Sequence, residues 1–138
     1  MYVCMYVCIM DQDGKILFHK NMNTKREIFL KKIAPFREDL CVSVECMQSW
    51  YWVADTCRDE NIHFVLGHAL EMKLIHGSKS KNDKIDAERI TTLLRNHTFP
   101  MAYAYPREMR STRDLLRRRI NMVRKRTDHL AHIQNTNN

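Results

Sequence analysis

Two aspartates spaced three residues apart, Asp83 and Asp86, follow a lysine-rich loop and could bind a metal ion. Apolar residues recur at helical spacing over residues 85–94, which predicts an amphipathic helix that Asn82 or Asp83 could cap. Both carboxylates would then project from one face of its first turn. Paired carboxylates suit Mg²⁺ or Mn²⁺, but acidic residues are also common in the first turn of any helix. A metal site and an ordinary capped helix start are therefore both open interpretations.

Lysines surround the two aspartates. Because lysine side chains contact the phosphates of nucleic acids, the loop and the helix start are also a candidate phosphate-binding surface. The lysines concerned are Lys79, Lys81 and Lys84.

A third carboxylate, Glu45, ends the apolar segment 40–45, which is typical of a strand buried inside a sheet. In open α/β sheets, sites commonly form outside the carboxyl ends of the strands. Acidic residues gathered there could hold two metal ions, one activating a nucleophile and one stabilising the leaving oxygen of a phosphodiester. Taken singly, Glu45 is better explained as a strand-end residue paired with a lysine or arginine.

The elements that must position these carboxylates alternate between strand and helix patterns. Residues 2–10 and 15–19 predict two strands joined by a hairpin turn at residues 11–14. Thr24 and Glu27 form a capping box, which predicts the start of the first helix. Further strands are predicted at residues 40–45 and 62–67, and helices near residues 50–57, 69–75 and 85–94. This order predicts an α/β fold, a sheet flanked by helices.

The composition limits the class of protein and of partner. The chain has 138 residues, enough for one domain with a real core, and no apolar run approaches the length that spans a bilayer. Five cysteines without a Cys-x-x-Cys pair favour reduced, buried thiols in a cytoplasmic protein, and the scattered histidines argue against a zinc site. The net charge of +7 indicates an anionic partner.

Almost all of the positive charge lies near the C-terminus. After a predicted linker at residues 98–105, a long helix is expected from Pro106 to about Asn135. Residues 107–128 contain nine Lys or Arg against three Asp or Glu, a net charge of +6. Phosphate binding is favoured over a merely solvated charged helix, because acidic partners are scarce. The candidate contacts are Arg117, Arg118, Arg119, Arg124, Lys125 and Arg126.

The same segment has a weak apolar heptad repeat. Its apolar residues recur every seven positions, so a coiled-coil or bundle contact and a homo-oligomer are expected. The repeat consists of Met109, Leu116, Val123 and Leu130.

Three motifs carry a resemblance to a known family. The run Lys-Asn-Asp-Lys-Ile-Asp-Ala at residues 81–87, the strand end at 43–45 and Ser-Trp-Tyr-Trp at 49–52 resemble the N-terminal DEDD domain of insertion-sequence one-ten family transposases. This family is also described as bridge-RNA-guided recombinases and includes the Piv-like invertases. The resemblance extends from Met5 to about Asn137.

The resemblance implies an RNase H-like (RuvC-like) mixed sheet flanked by helices and followed by a basic helix. It implies four acidic residues that bind Mg²⁺ or Mn²⁺, with Glu45 as the glutamate and Asp83 and Asp86 as the closing aspartate pair. DNA is the implied partner, with a guide RNA as a second possible partner. A C-terminal domain carrying a nucleophilic serine is also implied.

Two departures from the family pattern bear on activity. The family's first aspartate lies on a first strand in a Gly-Ile-Asp-like context, whereas this sequence begins with what resembles the second strand. Asp11 or Asp13 in the hairpin turn could substitute, but that turn is expected at the far end of the hairpin from the site. The sequence also ends before the serine domain. We therefore expect a truncated transposase, with its RNase H-like domain at residues 1–97 and a coiled-coil arm beginning at 106–138, that is inactive in strand transfer by itself.

Two alternatives belong to other classes of protein. One is a non-catalytic fragment that binds nucleic acid or oligomerises through its basic helix, and the other is an unselected pseudogene product. Metal dependence separates the first alternative from an enzyme. An enzyme needs Glu45, Asp83 and Asp86, whereas a binding protein needs only the arginines of the basic helix.

Overall fold

The computed structural model describes residues 4–46, 50–76 and 82–136. The chain divides into two units, Met1–Ala104 and Tyr105–Asn138. The first unit combines strands and helices, so the α/β class predicted from the alternating pattern is confirmed, and the second unit is one long helix. Within the described ranges, no helix has the length and apolar character needed to cross a membrane.

The first unit begins with a β-hairpin. Strands β1 (Cys4–Met10) and β2 (Ile16–Asn23) pair antiparallel. The turn between them is closed by the Asp11 carboxylate, whose Oδ1 accepts a hydrogen bond of 2.8 Å from the Lys15 amide. Gly14 takes a φ of +88°, a left-handed conformation that glycine adopts without steric cost. The predicted hairpin turn is therefore confirmed.

A second sheet contains three strands. Strand β3 (Cys41–Glu45) runs parallel to β4 (His63–Gly67), and β5 (Met101–Ala102) pairs antiparallel with the other edge of β4. The predicted single mixed sheet is corrected here, because the strands form two sheets. Among the described residues, β1 pairs only with β2 and β3 pairs only with β4, so no backbone ladder joins the hairpin to the second sheet.

The prediction that residues 98–105 form a linker is corrected for the first part of this segment. Phe99 is buried in a cluster with Val65 and Met72, and β5 adds to the sheet. The amide of His68 also donates to the carbonyl of Pro100 at 2.8 Å. This part of the segment therefore belongs to the first unit.

Five α-helices complete the described part of the chain. The capping box predicted at Thr24 and Glu27 is wrong, because the first helix is capped by Lys25 without a side-chain hydrogen bond. The helix start lies one residue beyond the position that a threonine cap requires, and the Lys25 amide bonds to the Asn23 carbonyl at 2.8 Å. The helices are α1 (Arg26–Ile33, followed by a 3-10 turn at Ala34–Phe36), α2 (Trp50–Asp59), α3 (Ala69–His76), α4 (Asp83–Arg95) and α5 (Arg107–Thr136).

The hairpin lies between two helical layers. Ile9 and Met22 belong to a buried cluster with Phe29 of α1 and Val53 of α2, so one face of the hairpin packs on these helices. Side chains alternate between the two faces of a strand, so Cys8 points the other way. Helix α4 packs against β1, with the Thr91 hydroxyl 3.4 Å from the Cys8 carbonyl. The opposite face therefore supports α4.

The cysteines are free thiols. Burial raises the pKa of Cys8 and Cys41, and burial together with the neighbouring Cys41 raises the pKa of Cys57 to about 12. These three thiols are therefore protonated at neutral pH and chemically quiet.

Candidate functional site

The two aspartates lie in the first turn of α4. Asn82 has an extended conformation, and its side-chain oxygen accepts a hydrogen bond of 3.0 Å from the amide of Lys84. The Asp86 amide donates to the Asn82 carbonyl at 3.0 Å, which closes the first turn. Asn82, rather than Asp83, therefore caps the helix. Neither carboxylate is used for the cap, with Asp83 exposed and Asp86 half-buried.

Glu45 is the last residue of β3 and is half-buried. It stands opposite Gly67 in the parallel pairing with β4, and the next amide, that of Cys46, donates to the Gly67 carbonyl at 3.0 Å. Helix α4 packs against β3 as well as against β1 and β2. The glutamate and the aspartate pair therefore lie on elements that contact each other.

The donor chemistry suits a divalent cation, because carboxylate oxygens are the hard ligands that Mg²⁺ and Mn²⁺ prefer. The arrangement does not amount to a metal centre. Nowhere in residues 4–46, 50–72 or 82–136 do three or more His, Cys, Asp or Glu side chains form a group that could hold a metal ion. Glu45, Asp83 and Asp86 are therefore not gathered into such a group in the described part of the chain.

The hairpin turn lies far from the aspartate pair. Arg95, the last residue of α4, approaches this turn, with its guanidinium beside Gly14 and 3.5 Å from the carbonyl of Gln12. A helix rises about 1.5 Å per residue, so Asp83 and Arg95 are separated by about 18 Å. Asp11 and Asp13 in this turn are thus unsuited to replace the family's first aspartate.

Of the three lysines predicted to contact phosphate near the aspartates, the structure describes one. Lys84 is exposed on the first turn of α4. Lys79 and Lys81 lie outside the described residues, so their role stays a prediction.

Helix α5 is continuous over 30 residues, which confirms the predicted long helix. Near its start, Arg113 pairs with Asp114 at 3.0 Å and Arg110 donates to the carbonyl of Tyr105 at 3.0 Å. Six cations farther along are exposed, and within the described part of the chain none of them forms an ion pair with a carboxylate. We call this set the α5 cations: Arg117, Arg118, Arg119, Arg124, Lys125 and Arg126.

One contact at the site was missed by the sequence analysis. His19 on β2 places its Nε2 atom 3.1 Å from the carbonyl oxygen of Lys84, in the turn that carries the aspartates. The two residues are 65 positions apart, and His19 lies in an ordinary strand pattern. No local signal in the sequence could have indicated this pairing.

The sequence profile of the DEDD transposases of the IS110 family matches residues 5–136. The chain belongs to this transposase family. The resemblance inferred from the three motifs is thereby confirmed, and DNA is the partner that membership of this family implies. No curated protein matches the chain. The matched segment of this transposase contains Glu45, both aspartates and all of the α5 cations.

Proposed function

We propose that this transposase domain binds DNA through the α5 cations in the course of transposition. The observation that carries the proposal is the exposure of six positive side chains that form no ion pair with any described carboxylate, within the segment that matches the family. Binding of such side chains to phosphates releases the counterions condensed on DNA, which makes affinity high at low salt and steeply salt-dependent. The phosphates of a guide RNA would make the same contacts with the α5 cations.

Glu45, Asp83 and Asp86 are proposed as acidic residues of an RNase H-like site for phosphodiester chemistry. Two features support this assignment, namely the aspartates on one turn and the packing of α4 against the strand that ends in Glu45. The described residues do not complete a metal site, so Mg²⁺ or Mn²⁺ would need a further ligand to be held firmly.

The apolar repeat of α5 supports an oligomer as a further proposal. Its four members are between 43% and 54% exposed, although side chains of this type are usually buried. A coiled coil with α5 of a second copy would cover them. These residues are Met109, Leu116, Val123 and Leu130.

A second candidate function is nucleic-acid binding without catalysis. It is favoured by the absence of any group of three potential metal ligands among the described side chains. In that case the α5 cations would still contact phosphates, and substitution of Glu45, Asp83 or Asp86 would leave binding unchanged.

The salt dependence of DNA binding tests the proposed function. The logarithm of the association constant is expected to fall linearly with the logarithm of salt concentration, with a slope of about −2 to −4, which corresponds to roughly two to four phosphate contacts. Fluorescence anisotropy of a labelled DNA duplex measures this slope. The same titration with an RNA duplex of equal length shows how far the contacts discriminate between DNA and RNA. A slope near zero, or no binding at low salt, would rule out phosphate contact by α5.

A further inference from the structure

Polar contacts join helix α4 to the hairpin near its start, its middle and its end. His19 meets the Lys84 carbonyl at 3.1 Å in the first turn, and the Thr91 hydroxyl lies 3.4 Å from the Cys8 carbonyl near the middle. The Arg95 guanidinium lies 3.5 Å from the Gln12 carbonyl at the far end. Of these contacts, the one made by His19 falls in the turn that carries Asp83 and Asp86.

We propose that His19 is a positioning residue that holds the acidic first turn of α4 against the hairpin, an inference that rests on the proposed role of Asp83 and Asp86. A carbonyl oxygen can only accept, so Nε2 of His19 must carry the proton and donate it to Lys84. Lys84 lies between the two aspartates in sequence, so fixing its carbonyl fixes the backbone from which both carboxylates project.

The imidazole of His19 is itself held in place. The ring of Tyr6 lies edge-on to it, with centroids 4.9 Å apart and planes at 85°. The Tyr6 hydroxyl also donates to the backbone carbonyl of His19 at 3.3 Å. A donor whose orientation is fixed on a strand can restrain a helix end, and a helix end is otherwise prone to fray.

The first turn of α4 needs such a restraint. Its capping residue, Asn82, is exposed, and two like charges three residues apart in one turn repel each other. Groups outside the ligand set commonly fix the orientation of acidic ligands, and small errors in that orientation weaken a site. The contact from the hairpin therefore provides the orientation that the helix alone lacks.

Hydrogen exchange of the amides of Asp86, Ala87 and Glu88 tests this role directly. The substitution His19→Phe keeps a ring but removes the donor, and we expect these amides to exchange about three- to tenfold faster, the factor that one hydrogen bond provides. His19→Gln places an N–H the same number of bonds from Cα and should restore exchange to within about twofold. Unchanged exchange in His19→Phe, or an equal rise along the whole of α4, would overturn the proposal.

The Mn²⁺ dissociation constant provides the functional readout. His19→Phe should raise it about three- to tenfold and His19→Gln should restore it, whereas Arg95→Met, which removes the contact at the far end of α4, should leave it unchanged. An unchanged dissociation constant in His19→Phe would contradict the positioning role. If the unsubstituted protein binds no Mn²⁺, the proposed metal site fails, and the exchange of the three amides alone decides the role of His19.

Discussion

Substitution of Arg117, Arg118 and Arg119 by glutamine is expected to weaken DNA binding about 30- to 100-fold at roughly 0.1 M salt. Consecutive helical residues point about 100° apart, so about two of the three side chains can face one duplex at a time. Each lost phosphate contact should reduce the salt slope by about 0.9, which gives a total reduction of about 2. Anisotropy titrations at several salt concentrations measure both quantities.

A control variant separates the effect of contacts made by α5 from the effect of the net charge of the protein. Substitution of Lys20, Lys25 and Lys31 by glutamine removes the same three charges from exposed positions of the first unit. We expect this variant to keep the salt slope within about 0.5 of that of the unsubstituted protein. An equal loss of DNA affinity and of salt slope in the two variants would show that net charge, rather than α5, attracts DNA.

Substitution of Leu66 by alanine is expected to lower the free energy of unfolding of the first unit by about 3 kcal/mol. Leu66 is 2% exposed on β4, the central strand of its sheet, and packs in a cluster with Trp50 and Ala54 of α2. The substitution would leave a cavity where this strand meets the helix. Both tryptophans of the chain lie in α2, so urea unfolding followed by tryptophan fluorescence reports on this unit without a contribution from α5.

The same chemical change at Leu70 provides the control. Leu70 lies in α3 with 70% of its surface exposed, so its substitution by alanine should change the free energy of unfolding by less than about 0.5 kcal/mol. A similar decrease in the free energy of unfolding for the Leu66 and Leu70 variants would contradict the central place of β4 in the core.

Local patterns predicted the elements of the fold well. Alternation over residues 2–10 and the Gly14 turn identified the hairpin, and helical spacing identified α4. The errors arose where distant contacts decided the outcome. The supposed linker joined the core because Phe99 packs on Val65 and Met72, more than twenty residues away in sequence. The helix start is a local exception, because it lies at Lys25, one residue beyond the predicted cap.

The candidate site was predictable only in part. The spacing of Asp83 and Asp86 and a helix start capped by Asn82 or Asp83 can be predicted from sequence, because a helix start is a local structure. The structure then shows that Asn82 is the cap. The contact between His19 and Lys84 depends on how α4 lies across the hairpin, and no spacing rule reports that. The separation of the strands into two sheets was missed for the same reason, because strand pairing is not local.

Paramagnetic broadening by Mn²⁺ tests directly whether Glu45, Asp83 and Asp86 share one site. Small additions of Mn²⁺ to isotope-labelled protein should broaden the amide signals of residues 45–46 and 82–87 together. The paired substitution Asp83→Asn with Asp86→Asn should abolish the broadening at both places. The loss of broadening at residues 45–46 is the decisive result, because those residues are unchanged in the variant.

A second acidic cluster provides the internal reference. Asp55, Asp59 and Glu60 form ion pairs with Arg58, Arg26 and Arg37 and should respond only at much higher Mn²⁺ concentrations. Joint broadening of residues 45–46 and 82–87, lost in the paired variant, is the predicted result. Broadening that affects the two segments at different Mn²⁺ concentrations, or that persists at Glu45 in the variant, would show that the three carboxylates do not form one site.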